Sequence, residues 1–199
     1  MSNRAYLYSV NSIPTANSSP DVIKGLSEYE YDIPIVYKIL LGNEPEVCQS
    51  VIWREEKAGL VADFQKGLND LFLFLELFKK EEMDDPEMFK ELYEETLKFL
   101  KNPKHTEKYI LLEVSEIFDM EEEAKDVLFK DLIFDIKFVA GEAKSLIQKS
   151  ANPKSPNVFF TTNVGEFHDL REDWGKTLGI DCWSSILYYH FPKKSKPKK

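Results

Sequence analysis

The residues best suited to catalysis lie together in the last quarter of the chain. His168 is flanked by Glu166 and Asp173, and Cys182 follows a short distance on. An imidazole beside carboxylates can act as a general acid or base, and a nearby thiol can act as a nucleophile. Glu166, His168, Asp173 and Cys182 are therefore candidate catalytic residues, and the reaction they would suit is hydrolysis.

The same segment also has a structural interpretation. Asp169 and Glu172 have the spacing of a capping box, which predicts a short helix that begins at Asp169 and ends at Gly179. Nothing in the sequence marks Cys182 as lying at a helix N-terminus or a strained turn, where a thiol becomes reactive. Because the catalytic set is incomplete, we assign no catalytic residue, and a hydrolase is the alternative to a non-enzymatic protein.

A second group of carboxylates falls within a predicted long helix. Asp131, Asp135 and Glu142 form a ridge beside Phe134 and Phe138. Paired acids can bind a divalent ion, but di-iron bundles also require Glu-x-x-His pairs on several helices, and the sequence contains none. Glycine-rich phosphate loops are missing as well. We therefore predict a solvated acidic face, with no metal and no cofactor.

The charge distribution predicts the type of partner. The chain has 26 basic and 35 acidic side chains, for a net charge of −9. Five of the lysines lie in residues 193–199, so the remaining body has 21 basic against 35 acidic side chains and a net charge of −14. Such a body attracts a basic protein and repels nucleic acid and anionic membranes. Only the lysine tail is suited to contact nucleic acid, and the oligomeric state is left open.

Cysteine content and hydropathy predict a cytoplasmic protein. Two cysteines are too few for a disulfide framework, and the N-terminus has no apolar segment of signal-peptide length. The densest apolar run, residues 71–78, is interrupted by Glu76 and is too short to span a membrane.

Two long helices are predicted to form the core. Helical spacing of apolar residues predicts a central helix from Glu55 to Glu82, with a close packing neighbour at Gly67, and a second helix from Asp119 to Ser150 that packs against it. Caps, prolines and glycines predict shorter helices over residues 19–25, 33–42, 85–102 and 169–178.

Strands are predicted where aromatic and β-branched residues cluster. These segments are residues 5–10, 47–53, 109–114, 158–162 and 185–191. Residues 109–118 also satisfy helical spacing, although we favour a strand that ends near Val114. Together the elements predict an α+β fold over residues 1–192, a helix-dominated single domain with a small, mainly antiparallel sheet that contains both chain ends. Residues 151–157 are a candidate internal boundary, and residues 193–199 are predicted to be a disordered tail.

Three short motifs near the N-terminus carry a family resemblance. The opening Asn-Arg-Ala-Tyr-Leu-Tyr-Ser at residues 3–9, with Gly25–Tyr29 and Tyr31–Pro34, resembles a family of uncharacterised bacterial proteins that begin in the same way. The resemblance covers about the first third of the chain and implies a soluble bacterial protein without an assigned activity. The acidic body and the lack of a complete catalytic set lead instead to our main hypothesis: a non-enzymatic binding protein, immunity-like or regulatory, that engages a basic partner.

Overall fold

An antiparallel sheet with helices on one face forms the centre of the molecule. The computed structural model describes residues 3–53, 59–79, 85–150 and 174–191. The strands are β1 (Arg4–Val10), β2 (Ile23–Glu30), β3 (Glu46–Cys48), β4 (Gly59–Asp63) and β5 (Tyr109–Glu113), in the order β2-β1-β5-β4-β3. The helices are α1 (Ile35–Leu41), α2 (Phe64–Phe78), α3 (Pro86–Leu100), α4 (Ser115–Phe118), α5 (Lys125–Ser150) and α6 (Trp174–Leu178). The predicted α+β fold class is confirmed.

Strand β5 lies at the middle of the sheet and contributes to two apolar cores. Leu112 is opposite Leu7 of β1 and packs into the core beneath the helices, whereas Leu111 is opposite Tyr8 and faces the other way. This division follows from the alternation of side chains along a strand. The second core is covered by residues 49–53 and by the C-terminal segment 185–191.

The predicted central helix is shorter than expected. Its first part is wrong, because Gly59–Asp63 is strand β4, hydrogen-bonded to strands on both sides. Helix α2 begins only after Asp63, whose side chain accepts a hydrogen bond of 2.9 Å from the Lys66 amide. The predicted close contact at Gly67 is confirmed, since a Cβ there would overlap the Leu40 carbonyl of α1.

The other long helix packs as predicted but starts later. Helix α5 contacts both α1 and α2, which confirms the expected pairing of the two long helices. It begins at Lys125 rather than Asp119, because Asp119 instead ends the short helix α4. The predicted start of α3 is confirmed: Asp85 caps the helix by accepting from the Met88 amide at 3.1 Å, and Pro86 occupies its first turn.

Three of the smaller predictions need correction. Residues 19–25 do not form a helix, because Ile23–Glu30 pairs along its length with β1. The predicted strand 47–53 is limited to Glu46–Cys48. Residues 185–191 form no strand, although Trp183 makes an isolated bridge to Ser27 and brings this segment onto the sheet. The strand predicted at the front of 109–118 is confirmed as β5.

Some predictions fall outside the described residues. These are the strand 158–162, the boundary 151–157, the tail 193–199 and the first part of the helix predicted from Asp169. The end of that helix is confirmed, because α6 stops at Gly179, whose positive φ of 74° suits glycine. Among the helices of the described ranges, none is long and apolar enough to cross a membrane.

Candidate functional site

Helix α5 exposes two phenyl rings to solvent. Its inner side carries Leu132, Ile136 and Val139, which are buried against the other helices. On the outer side Phe134 is 73% exposed and Phe138 is 47% exposed, and their rings stack with centroids 6.5 Å apart. Large apolar side chains exposed together are typical of interaction surfaces.

A row of residues extends this pair along the helix. Val127, Asp131, Phe134, Phe138 and Gly141 recur at the three- and four-residue spacing that places side chains on one helical face. All five residues are exposed. We call this row the α5 outer face.

Opposite charges flank the two sides of the α5 outer face. Asp135 and Glu142 lie on one side, continuing the acidic ridge that includes Asp131. Asp135 forms an ion pair of 2.8 Å with the Lys38 side chain of α1. Lys130 and Lys137 lie on the other side and are exposed, and Lys130 forms an ion pair of 3.7 Å with Asp126. This asymmetry would orient a charged partner across the helix.

The residues that immediately precede α5 are acidic as well. An exposed run of carboxylates precedes the helix and continues into its first turn: Glu121, Glu122, Glu123 and Asp126. Negative charge at this end is favourable, because the amide groups of a helix N-terminus carry partial positive charge. The run therefore stabilises the helix and adds negative potential beside Val127, at the start of the α5 outer face.

No metal site is visible in the described ranges. Within them no group of three or more histidine, cysteine, aspartate or glutamate side chains is close enough to hold a metal ion.

The predicted catalytic residues are only partly described. Glu166, His168 and Asp173 lie outside the described residues. Cys182 follows α6, and its thiol donates to the Gly179 carbonyl at 2.8 Å. Burial raises the pKa of this thiol to about 11, so Cys182 is protonated and a poor nucleophile at neutral pH in this environment.

A buried hydrogen-bond chain surrounds Cys182. The Tyr37 hydroxyl donates to Ser27 Oγ at 2.5 Å, and Ser27 Oγ donates to the Cys182 carbonyl at 2.8 Å. Burial raises the pKa of Tyr37 well above its usual value. These hydrogen bonds connect α1 and β2 to the segment after α6. The role of these polar groups is therefore structural.

The sequence placed Phe134 and Phe138 beside the acidic ridge and predicted a solvated face there, but it did not single out the two rings as an exposed pair. The seven-residue interval from Val127 to Phe134, followed by the four-residue interval to Phe138, was a readable signal for a second apolar row on α5. Periodicity alone does not show which apolar row another element covers, so this signal became decisive only once the packing of α5 was known.

The fold and this surface define an α+β protein with an exposed acidic and aromatic helical face. The chain belongs to the family described as a domain of unknown function, DUF7822, whose model matches residues 11–153. The match confirms the predicted membership of an uncharacterised family and extends from the residue after β1 to just beyond α5. The opening motif at residues 3–9 precedes the matched range. No curated protein and no solved structure matches the chain.

Proposed function

We propose that this protein is a non-enzymatic binding protein whose α5 outer face engages a basic, partly apolar segment of a protein partner, in a regulatory or immunity-like role. The observation that carries the proposal is the stacked and exposed pair Phe134 and Phe138. Fully burying one phenyl ring contributes on the order of 2 kcal/mol. A partner that covered both rings would therefore gain a substantial part of its binding energy from them.

Gly141 supports close approach of a partner to the helix backbone. A glycine inside a helix costs about 1 kcal/mol relative to alanine. At Gly141 no described atom outside the helix's own backbone lies within 4 Å of where a Cβ would be, so packing within the described structure does not require glycine there. A partner side chain seated beside Phe138 would use the space that a Cβ would fill.

Charge supports a basic partner in a defined orientation. The body carries a net charge of −14 without the lysine tail, which favours association with basic proteins. Asp131 and Glu142 would face the partner's cations, while Lys130 and Lys137 would repel them from the other side of the helix. The same arrangement disfavours nucleic acid, because a phosphate backbone would meet the acidic side.

The test begins with recovery of the partner and then measures its affinity. Proteins retained from the native cell extract by the wild type are compared with those retained by Phe134→Ser/Phe138→Ser. A protein lost by the double variant is purified, and its Kd is measured by calorimetry at low and moderate salt. We expect the double substitution to weaken binding at least tenfold, since burying the exposed parts of the two rings is worth about 2 kcal/mol together.

Charge variants on the two sides of α5 provide matched controls. Asp131→Asn/Glu142→Gln should weaken binding and reduce its salt dependence, because attractive charge is removed. Lys130→Gln/Lys137→Gln alters the same number of charges on the opposite side and should leave binding equal or tighter. Identical retention by the wild type and the phenylalanine variant, or a partner that is acidic, would contradict the proposal.

A further inference from the structure

A small cavity, to which α5 contributes no lining residue, lies where the end of α3 meets the segment after α6. Its volume is about 300 Å³. Aromatic and polar side chains converge on it, including Glu95, Phe99, Asn102, His105, Asp181 and Trp183. A cavity of this size accommodates a single small molecule.

Stacked rings form one wall of the cavity. The His105 and Phe99 rings stack with centroids 4.0 Å apart, and Trp183 lies nearly parallel to Phe99 with centroids 6.1 Å apart. The indole is held in place, because its Nε1 donates to Thr96 Oγ1 at 2.8 Å and Thr96 is fully buried. The three rings therefore form a fixed aromatic wall, and a flat ring bound in the cavity can stack on one of its outer faces.

The polar groups around this wall are mainly hydrogen-bond acceptors. His105 Nδ1 lies 3.1 Å from the Phe99 carbonyl, which can only accept, so Nδ1 carries the proton in the neutral ring and Nε2 is an acceptor. Glu95 and Asp181 add two carboxylates, and Lys98 is the one cation among the lining residues. A ligand that fits must bring N–H donors and little negative charge.

We propose that this cavity binds a planar heteroaromatic amine, a nucleobase or nucleoside whose edge presents adjacent N–H groups. A carboxylate can accept two parallel N–H bonds from such an edge, and guanine is the base that offers them. The ring would stack on the aromatic wall while Glu95 or Asp181 accepts from its amino edge. The negative balance of the lining disfavours a phosphorylated ligand.

Titration with guanosine, followed by ¹H–¹⁵N NMR of the full chain, tests this proposal. We expect saturable shifts at residues 95–105 and 180–183, including the Trp183 indole signal. Inosine, which lacks the 2-amino group, should bind about tenfold more weakly because one hydrogen bond to a charged acceptor is lost. Guanosine 5′-monophosphate should bind more weakly than guanosine.

Carboxylate variants inside and outside the cavity supply the protein control. Glu95→Gln/Asp181→Asn should lower guanosine affinity at least tenfold, whereas Glu94→Gln removes an exposed carboxylate that does not line the cavity and should change nothing. All of these positions are exposed, so the variants should fold, which circular dichroism can verify. Absence of shifts at millimolar guanosine, equal binding of inosine, tighter binding of the monophosphate, or equal effects of the two variants would overturn the proposal.

Discussion

Replacing Glu113 by glutamine should remove the part of the pH dependence of stability that comes from titration of this buried carboxyl group. Glu113 ends β5 and is fully buried. It accepts a hydrogen bond of 2.6 Å from the Val51 amide, which holds residues 49–53 over the second core, and its Oε2 has no partner among the described residues. Burial raises the pKa of Glu113 to about 7, although the hydrogen bonds from Val51 and Ser50 oppose that rise.

The size and sign of the effect follow from this pKa. The usual pKa of glutamate is 4.5, so the folded state holds the proton more tightly than the unfolded state does. The stabilisation is fully present below pH 4.5 and is lost as the pH rises to about 7. At 1.36 kcal/mol per pKa unit, the loss is about 3 kcal/mol. Above pH 7 the contribution of Glu113 no longer changes.

The assay is urea unfolding of the wild type and Glu113→Gln at intervals from pH 4 to pH 8. Glutamine retains an acceptor for the Val51 amide but does not ionise, so titrations shared by both proteins cancel in the difference. We expect the variant to gain about 3 kcal/mol relative to the wild type between the two ends of this range. Glu94→Gln controls for loss of an exposed carboxylate. A difference that is flat with pH, or that moves in favour of the wild type as the pH rises, would refute the reasoning.

Three further predictions concern Gly141, Gly67 and the two cysteines. Gly141→Ala should raise the free energy of unfolding, measured by chemical denaturation, by about 1 kcal/mol, and it should weaken partner binding. A lower free energy of unfolding in the variant would contradict this prediction. Gly67→Ala should lower the thermal unfolding temperature markedly, because the new Cβ would overlap the Leu40 carbonyl; an unchanged temperature would show that α1 and α2 separate easily. Burial raises the pKa of Cys48 to about 12 and that of Cys182 to about 11, so native alkylation at pH 8, followed by mass spectrometry, should be at least tenfold slower than in urea. Equal alkylation rates in the native and urea-unfolded protein would contradict the burial of the two thiols.

Local signals predicted some elements well and others poorly. The start of α3 was predictable because its cap, Asp85, and Pro86 act within one turn of the helix. The start of α2 was not, since the apolar run 60–62 continues the pattern of the helix that follows. Those residues became strand β4 because β3 and β5 offer hydrogen bonds on both sides. Residues 23–30 became β2 for the same reason, through pairing with β1.

By itself the sequence determined the acidic body, the buried stripe of α5 and the carboxylate ridge that lies beside Phe134 and Phe138. These depend on composition and on the fixed geometry of a helix. Only the tertiary structure decided that Phe134 and Phe138 are exposed together among the described residues, that Glu113 is buried, and that Glu95 and Asp181 line one cavity. Burial and proximity depend on contacts between residues far apart in the chain, which local spacing does not encode.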